Sequence, residues 1–128
     1  MTSGRGETSA RKTRRQREQT GRKAETLALW WLRLKGYSVI MRRAKTPVGE
    51  LDILCSKGDQ LVVVEVKYRD DPDRALEALN ARQLDRCARA LEYLLATHPP
   101  LARFPNIRFD AMLVSRRAYP RHIKNLTV

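Results

Sequence analysis

At 128 residues, with 42% hydrophobic residues and a mean hydropathy of −0.54, the chain is sized for one small α/β domain around a single core. Lys and Arg outnumber Asp and Glu 26 to 14, a formal charge of +12 that favours polyanionic partners, nucleic acid first and an anionic membrane second. No run approaches the ~20 apolar residues needed to span a bilayer, and the polar, basic N-terminus lacks the apolar stretch of a secretory signal. The expectation is a cytoplasmic protein, free or nucleoid-associated, with no membrane partner.

Residues 1–20 hold almost no apolar side chain and read as a disordered basic arm ahead of a folded domain over 21–128. Between about Arg22 and Lys35, Ala24, Leu27, Ala28, Trp31 and Leu34 recur at helical spacing, and Gly36 supplies the stop. Trp30 and Trp31 read as core, one of them at the surface. Tyr37 to about Arg43 is a first strand. The loop Ala44–Gly49 leads to strands over Gly49–Cys55 and Leu61–Lys67, and Asp70–Asp73 breaks the chain. A helix from about Ala81 to Thr97 follows, with Asn80 and Gln83 spaced as a capping box and His98-Pro99-Pro100 ending it. Asn106–Val114 is a fourth strand, and the basic tail holds material for a short edge strand. The order αβββαβ implies an antiparallel three-strand meander and a crossover helix that returns the fourth strand to a mixed sheet.

The chemistry concentrates in the second and third strands. Gly58-Asp59 suits a two-residue hairpin turn, which pairs Lys57 with Gln60, Cys55 with Val62, Ile53 with Val64 and Leu51 with Val66. Those pairs build an apolar face that calls for a helix. The other face places Leu54 opposite Val63, Asp52 opposite Glu65 and Glu50 opposite Lys67. Like charges facing each other across strands are destabilising, at Cβ separations of about 5 Å. A shared proton or divalent cation resolves the conflict. Cys55 and Cys87 sit in apolar patterns and read as reduced core residues, since with His98 and His122 they show no zinc-ligand spacing.

An acid in the middle strand followed by Glu-x-Lys in the third resembles the PD-(D/E)XK nuclease core. The chain is more closely similar to the bacterial YraN-like family, through Gly21-Arg22-Lys23-Ala24-Glu25, Thr46-Pro47-Val48-Gly49-Glu50-Leu51-Asp52, Val64-Glu65-Val66-Lys67, Arg108-Phe109-Asp110 and Pro120-Arg121-His122-Ile123-Lys124-Asn125. The resemblance spans about residues 21–125. It implies a restriction-endonuclease-like core with a mixed four-stranded sheet flanked by helices. Through similarity to archaeal Holliday-junction resolvases, it also implies a metal-dependent phosphodiesterase acting on structured DNA, and a homodimer. By position, Asp52 matches the acid of the second strand, Glu65 and Lys67 the Glu-x-Lys, and Glu25 the helical acid. Leu51 stands where the superfamily often has proline.

Phosphodiester hydrolysis needs an activated water and neutralised phosphoryl charge. Asp52 and Glu65 offer hard oxygen ligands for Mg²⁺ or Mn²⁺, with the Val66 carbonyl as a further donor. Lys67 would orient the water or stabilise the transition state. Glu25, one helical position off the apolar stripe, would reach the rim. Glu50 would pair with Lys67, and Gln83 would support the ligands from behind. Each has a plainer alternative: solvated acids on an open face, a structural ion pair at Lys67, a helix-dipole acid at Glu25, and a cap at Gln83. Asp110 either braces the site or bonds locally, and His122 is a poor candidate for general base. Arg22, Lys23, Arg42, Arg43, Lys45 and Arg69 flank the acids as phosphate contacts, which bind without reading sequence. The leading expectation is a metal-dependent endonuclease for branched or structured DNA. The alternatives are a non-catalytic nucleic-acid-binding module on the same fold and an RNA- or ribosome-associated basic protein.

Overall fold

The computed structural model describes residues 2–70 and 80–126. Helix α1 (Thr2–Leu34) is followed by strands β1 (Ser38–Thr46), β2 (Gly49–Lys57) and β3 (Gln60–Tyr68). Helix α2 (Ala81–Thr97), a short 3-10 turn (Pro99–Arg103), β4 (Asn106–Val114) and β5 (Arg121–Ile123) follow among the described residues. The strands form one sheet in the order β1-β2-β3-β4-β5, parallel only between β3 and β4. The mixed sheet and crossover helix follow the expected order, but the sheet has five strands rather than four. Its fifth strand is the three-residue edge β5, the short strand for which the basic tail holds material. The boundary expected near residue 20 falls inside α1, whose proline-free, Arg-, Lys- and Gln-rich first half keeps helical backbone. Of the expected break at Asp70–Asp73, all but Asp70 lies outside the described residues.

Apolar periodicity dictates the packing. Ala24, Ala28 and Leu32 of α1 cover Ile53, Cys55, Val62, Val64, Met112 and Val114 on one sheet face. On the opposite face α2 lays Cys87, Ala90, Leu91 and Leu94 over Leu51, Leu54, Leu61 and Val63. Leu32 is wholly buried, and cutting such a side chain to alanine costs about 2–5 kcal/mol. The second face is therefore not an open acidic surface. Its body is apolar and helix-covered, and the acids are confined to one end. Asn80 caps α2, its side chain accepting from the Gln83 backbone N–H at 3.0 Å. Gly36 ends α1 with φ +90, a left-handed turn that only glycine adopts without cost.

One polar cluster lies inside the fold. Asp110 is 1% exposed. It accepts from His122 Nε2 at 2.7 Å, from Arg108 Nε and a terminal nitrogen at 2.9 and 2.8 Å, and from the Asn125 backbone N–H at 2.9 Å. Arg108 also donates to the Gln60 side chain and the Tyr37 hydroxyl. The cluster ties β5 and the segment after it to β4 and to the end of α1. Burial opposes ionisation of Asp110, but the hydrogen bonds from His122, Arg108 and Asn125 outweigh it and hold the carboxyl below its ordinary range. This settles the local alternative for Asp110: it is a structural anchor.

Candidate functional site

The hairpin register runs as expected from Lys57↔Gln60 to Ile53↔Val64, and there the β2–β3 ladder ends. On the other side of β2, the pairing with β1 steps from Arg42↔Ile53 to Ala44↔Leu51, skipping Arg43 opposite Asp52. Both ladders therefore lapse at Asp52. Arg43 takes φ +47 at this point, a left-handed conformation that costs a non-glycine residue about 1–3 kcal/mol. The interruption also breaks the expected alternation. Leu51 joins Leu54 under α2, while Ile53 and Cys55 stay under α1. Strict period-two alternation puts Leu51 with Ile53, because it assumes an unbroken ladder.

The Asp52 carboxylate takes over where the ladder stops. Its Oδ2 accepts from the Val66 backbone N–H at 2.8 Å, which draws it beside Glu65. Burial, and then the charge of Glu65, raises the Asp52 carboxyl to about 7, against the opposing pull of the Val66 N–H. Glu65 is held from several sides. Gln83 Nε2 donates to its Oε1 at 2.7 Å, Lys67 Nζ lies 3.4 Å from the same oxygen, and the Cys87 thiol approaches Oε2 at 3.7 Å. Gln83 gives its backbone N–H to the Asn80 cap, but its side chain goes to Glu65 rather than back to the Asn80 N–H as a capping box would have it. Burial, then Glu65, pushes the Cys87 thiol up to about 12, which holds it neutral.

Gly49 lets α2 approach this end of the sheet: a Cβ there would meet Arg86 Cγ at 3.1 Å. Glu25 projects from α1 and accepts from Arg43 Nε. Arg43, expected as a phosphate contact, is therefore tied to Glu25, and nothing in the local sequence signals that pair. Glu50 lies opposite Lys45 in the β1 register rather than pairing with Lys67, whose ion pair is with Glu65. The displacement follows from the end of the β2–β3 ladder at Ile53. Arg22, Lys23, Arg42, Lys45 and Arg69 are all exposed. Of the site residues expected from sequence, Asp52, Glu65, Lys67 and Gln83 come together, with Glu25 and Arg43 beside them. His122 belongs to the Asp110 cluster instead.

Two adjacent carboxylates, one of them prone to hold a proton near neutrality, can share that proton or a cation. Among the described residues, no three of His, Cys, Asp and Glu converge closely enough to hold a metal unaided. The all-oxygen pair of Asp52 and Glu65 nevertheless suits a hard divalent ion that keeps several waters.

The fold and this site define an α/β protein whose mixed five-stranded sheet carries a coupled Asp–Glu pair, with a lysine beside it, at the end of its central hairpin. The chain belongs to the uncharacterised protein family UPF0102, the YraN-like family, whose model matches residues 24–114. A UPF0102 protein of Parvibaculum lavamentivorans is 50% identical over 103 residues, 80% of this chain and 77% of its own length. Those of Sphingopyxis alaskensis and Chelativorans sp. are 40% identical over 112 residues and 37% over 117, covering 87% and 91% of this chain and 94% of each relative. No helix among the described residues is long and apolar enough to cross a membrane.

Proposed function

We propose that this protein is a divalent-metal-dependent nuclease with a PD-(D/E)XK-type core, acting on branched or otherwise structured DNA. The observation that carries the reading is the Asp52–Glu65 pair. A protein has little reason to oppose two part-buried carboxylates, and to hold one of them up at about 7, unless the pair is to take up a cation. Asp52 and Glu65 would hold Mg²⁺ or Mn²⁺, which when bound supplies Lewis acidity toward a water and a phosphate oxygen. Gln83 and Lys67 fix the Glu65 carboxylate in place. Lys67 also presents an ammonium group at the edge of the pair, where it offsets charge developing on the phosphoryl oxygens. Arg43, locked to Glu25, puts a further positive charge next to Asp52. The exposed Arg22, Lys23, Arg42, Lys45 and Arg69 contact the phosphate backbone.

Purified protein, Asp52→Asn and Lys67→Ala would be incubated with four-way junction, flap, single-stranded and linear duplex DNA in EDTA, Mg²⁺ or Mn²⁺. The expected result is metal-dependent cleavage, abolished by Asp52→Asn and reduced about 100-fold or more by Lys67→Ala. Cleavage that survives both substitutions would overturn the mechanism. A binding module on the same fold is the competing reading, favoured because no third His, Cys, Asp or Glu among the described residues comes close enough to complete a metal site with Asp52 and Glu65. Tight junction binding without cleavage in any metal would select it.

A further inference from the structure

Three surface hollows along α1 share lining residues from one to the next. The first, about 630 Å³, is lined by Val66, Lys67, Tyr68 and Arg69 of β3 and the following turn, together with Gln16, Thr20 and Gly21. Thr20 and Tyr68 pass into the second, about 350 Å³, which adds Lys23, Leu27, Val114 and Arg116. Lys23 and Leu27 then lead into the third, about 330 Å³, ending at Arg22 and Trp30. The run from Thr20 to Trp30 covers about 15 Å of helix axis. It starts at the lysine beside the carboxylate pair and ends at an indole that is 58% exposed.

Two features of this groove decide its occupant. Its charged lining is cationic: Lys67, Arg69, Lys23, Arg116 and Arg22, with no acid among the described lining residues. Asp70 stands just outside, accepting from the Tyr68 hydroxyl at 3.3 Å, and Arg116 Nε donates to that hydroxyl at 2.9 Å. The groove also carries exposed apolar surface that the core does not use, in Leu27 and Trp30. The Arg33 guanidinium lies 5.5 Å from the Trp30 ring centroid and steadies the indole. Cations that track phosphates combined with an exposed aromatic side chain are the requirements of an unpaired strand. Hollows of a few hundred Å³ take nucleotide-sized groups, and bases inside a duplex are already stacked and cannot lie on an indole.

We infer that this groove binds a single-stranded segment of nucleic acid, its phosphates on Arg69, Arg116 and Lys23 and a base stacked on Trp30. Resting on the nuclease reading, it means that the substrate carries unpaired nucleotides next to the scissile phosphate, as in a flap or an overhang.

The test is metal-free binding, read by fluorescence anisotropy in EDTA with a labelled short oligothymidine and a blunt duplex of equal length. Trp30→Ala, at an exposed position, should weaken oligothymidine binding about tenfold and leave duplex binding unchanged. Lys23→Gln should lower the salt slope for the single strand by about 0.7. In a Trp31→Phe background, oligothymidine should quench the emission of Trp30. Equal losses on both ligands, or no loss with Trp30→Ala, would overturn the inference. So would a dimer that Trp30→Ala converts to monomer in sedimentation, which would give this face to a second copy of the chain. Because no metal is present, the outcome is separable from cleavage. Selective oligothymidine binding in EDTA, together with no cleavage by wild type when Mg²⁺ or Mn²⁺ is added, would sink the nuclease and leave the groove standing.

Discussion

Two aspartates in one sheet have opposite fates. Asp110 is buried among donors: His122, Arg108 twice, and the Asn125 N–H. Asp52 has the Val66 N–H and, beside it, another acid. The first carboxyl is held below its ordinary range and the second rises to about 7. A buried charge that stabilises a fold is surrounded until nothing more can bind it. A charge kept for chemistry is left short of partners, and the fold bears the cost.

That contrast predicts effects of opposite sign. Asp110→Ala strands Arg108 and His122, and should destabilise by about 3–5 kcal/mol in urea unfolding; a loss below about 1 kcal/mol would dissolve the comparison. Asp52→Asn keeps an acceptor for Val66 and removes the repulsion with Glu65. In EDTA at pH 8 it should stabilise by about 1–3 kcal/mol, below the ceiling of about 4 that a rise from 3.8 to about 7 allows.

The pH dependences should diverge as well. Asp52 binds its proton more tightly folded than unfolded, so its contribution is most favourable at acid pH and is lost as pH rises from about 4 through 7. Asp110, with its depressed value, contributes above its ordinary range and loses that contribution as pH falls through its folded value. In metal-free unfolding, the stability difference between Asp52→Asn and wild type should therefore grow from pH 4 to 7 and then level off. A difference that is flat across this window would show that burial and Glu65 do not raise Asp52 in the folded protein. Smallest in free energy, Gln83→Leu should weaken Mg²⁺ binding about tenfold, read by calorimetric titration. The same substitution should leave the Asp110 cluster, and with it most of the urea stability, unchanged.

Much of this architecture is legible in the sequence, and the reasons are local. Gly58-Asp59 and two apolar runs set the hairpin register from Lys57↔Gln60 to Ile53↔Val64, while Asn80 and the Pro99-Pro100 pair bound α2. What escapes is non-local. The switch of Leu51 to the α2 face depends on an irregularity shared with β1, and period-two reading has no term for it. The Glu25–Arg43 pair joins α1 to a residue whose left-handed backbone no motif announces. Leu27 and Leu34 lie on the apolar stripe, yet the helix's rotation against the sheet leaves them 43% and 80% exposed, while Trp30, off that stripe, is the tryptophan at the surface. The Asp110 cluster left a partial trace, an acid within a buried strand that had to find donors somewhere.

The hydrogen bond from Val66 to Asp52 makes this acid a member of the sheet as well as of the site. Cutting it to alanine would orphan a backbone N–H, so that substitution mixes architecture with chemistry, whereas asparagine separates them. It also gives the molecule a built-in voltmeter. The Val66 amide resonance should shift with the charge on Asp52, titrating near pH 7 in metal-free protein and staying flat in Asp52→Asn. One peak in a nitrogen–proton correlation spectrum would then follow the state of the site without substrate or label.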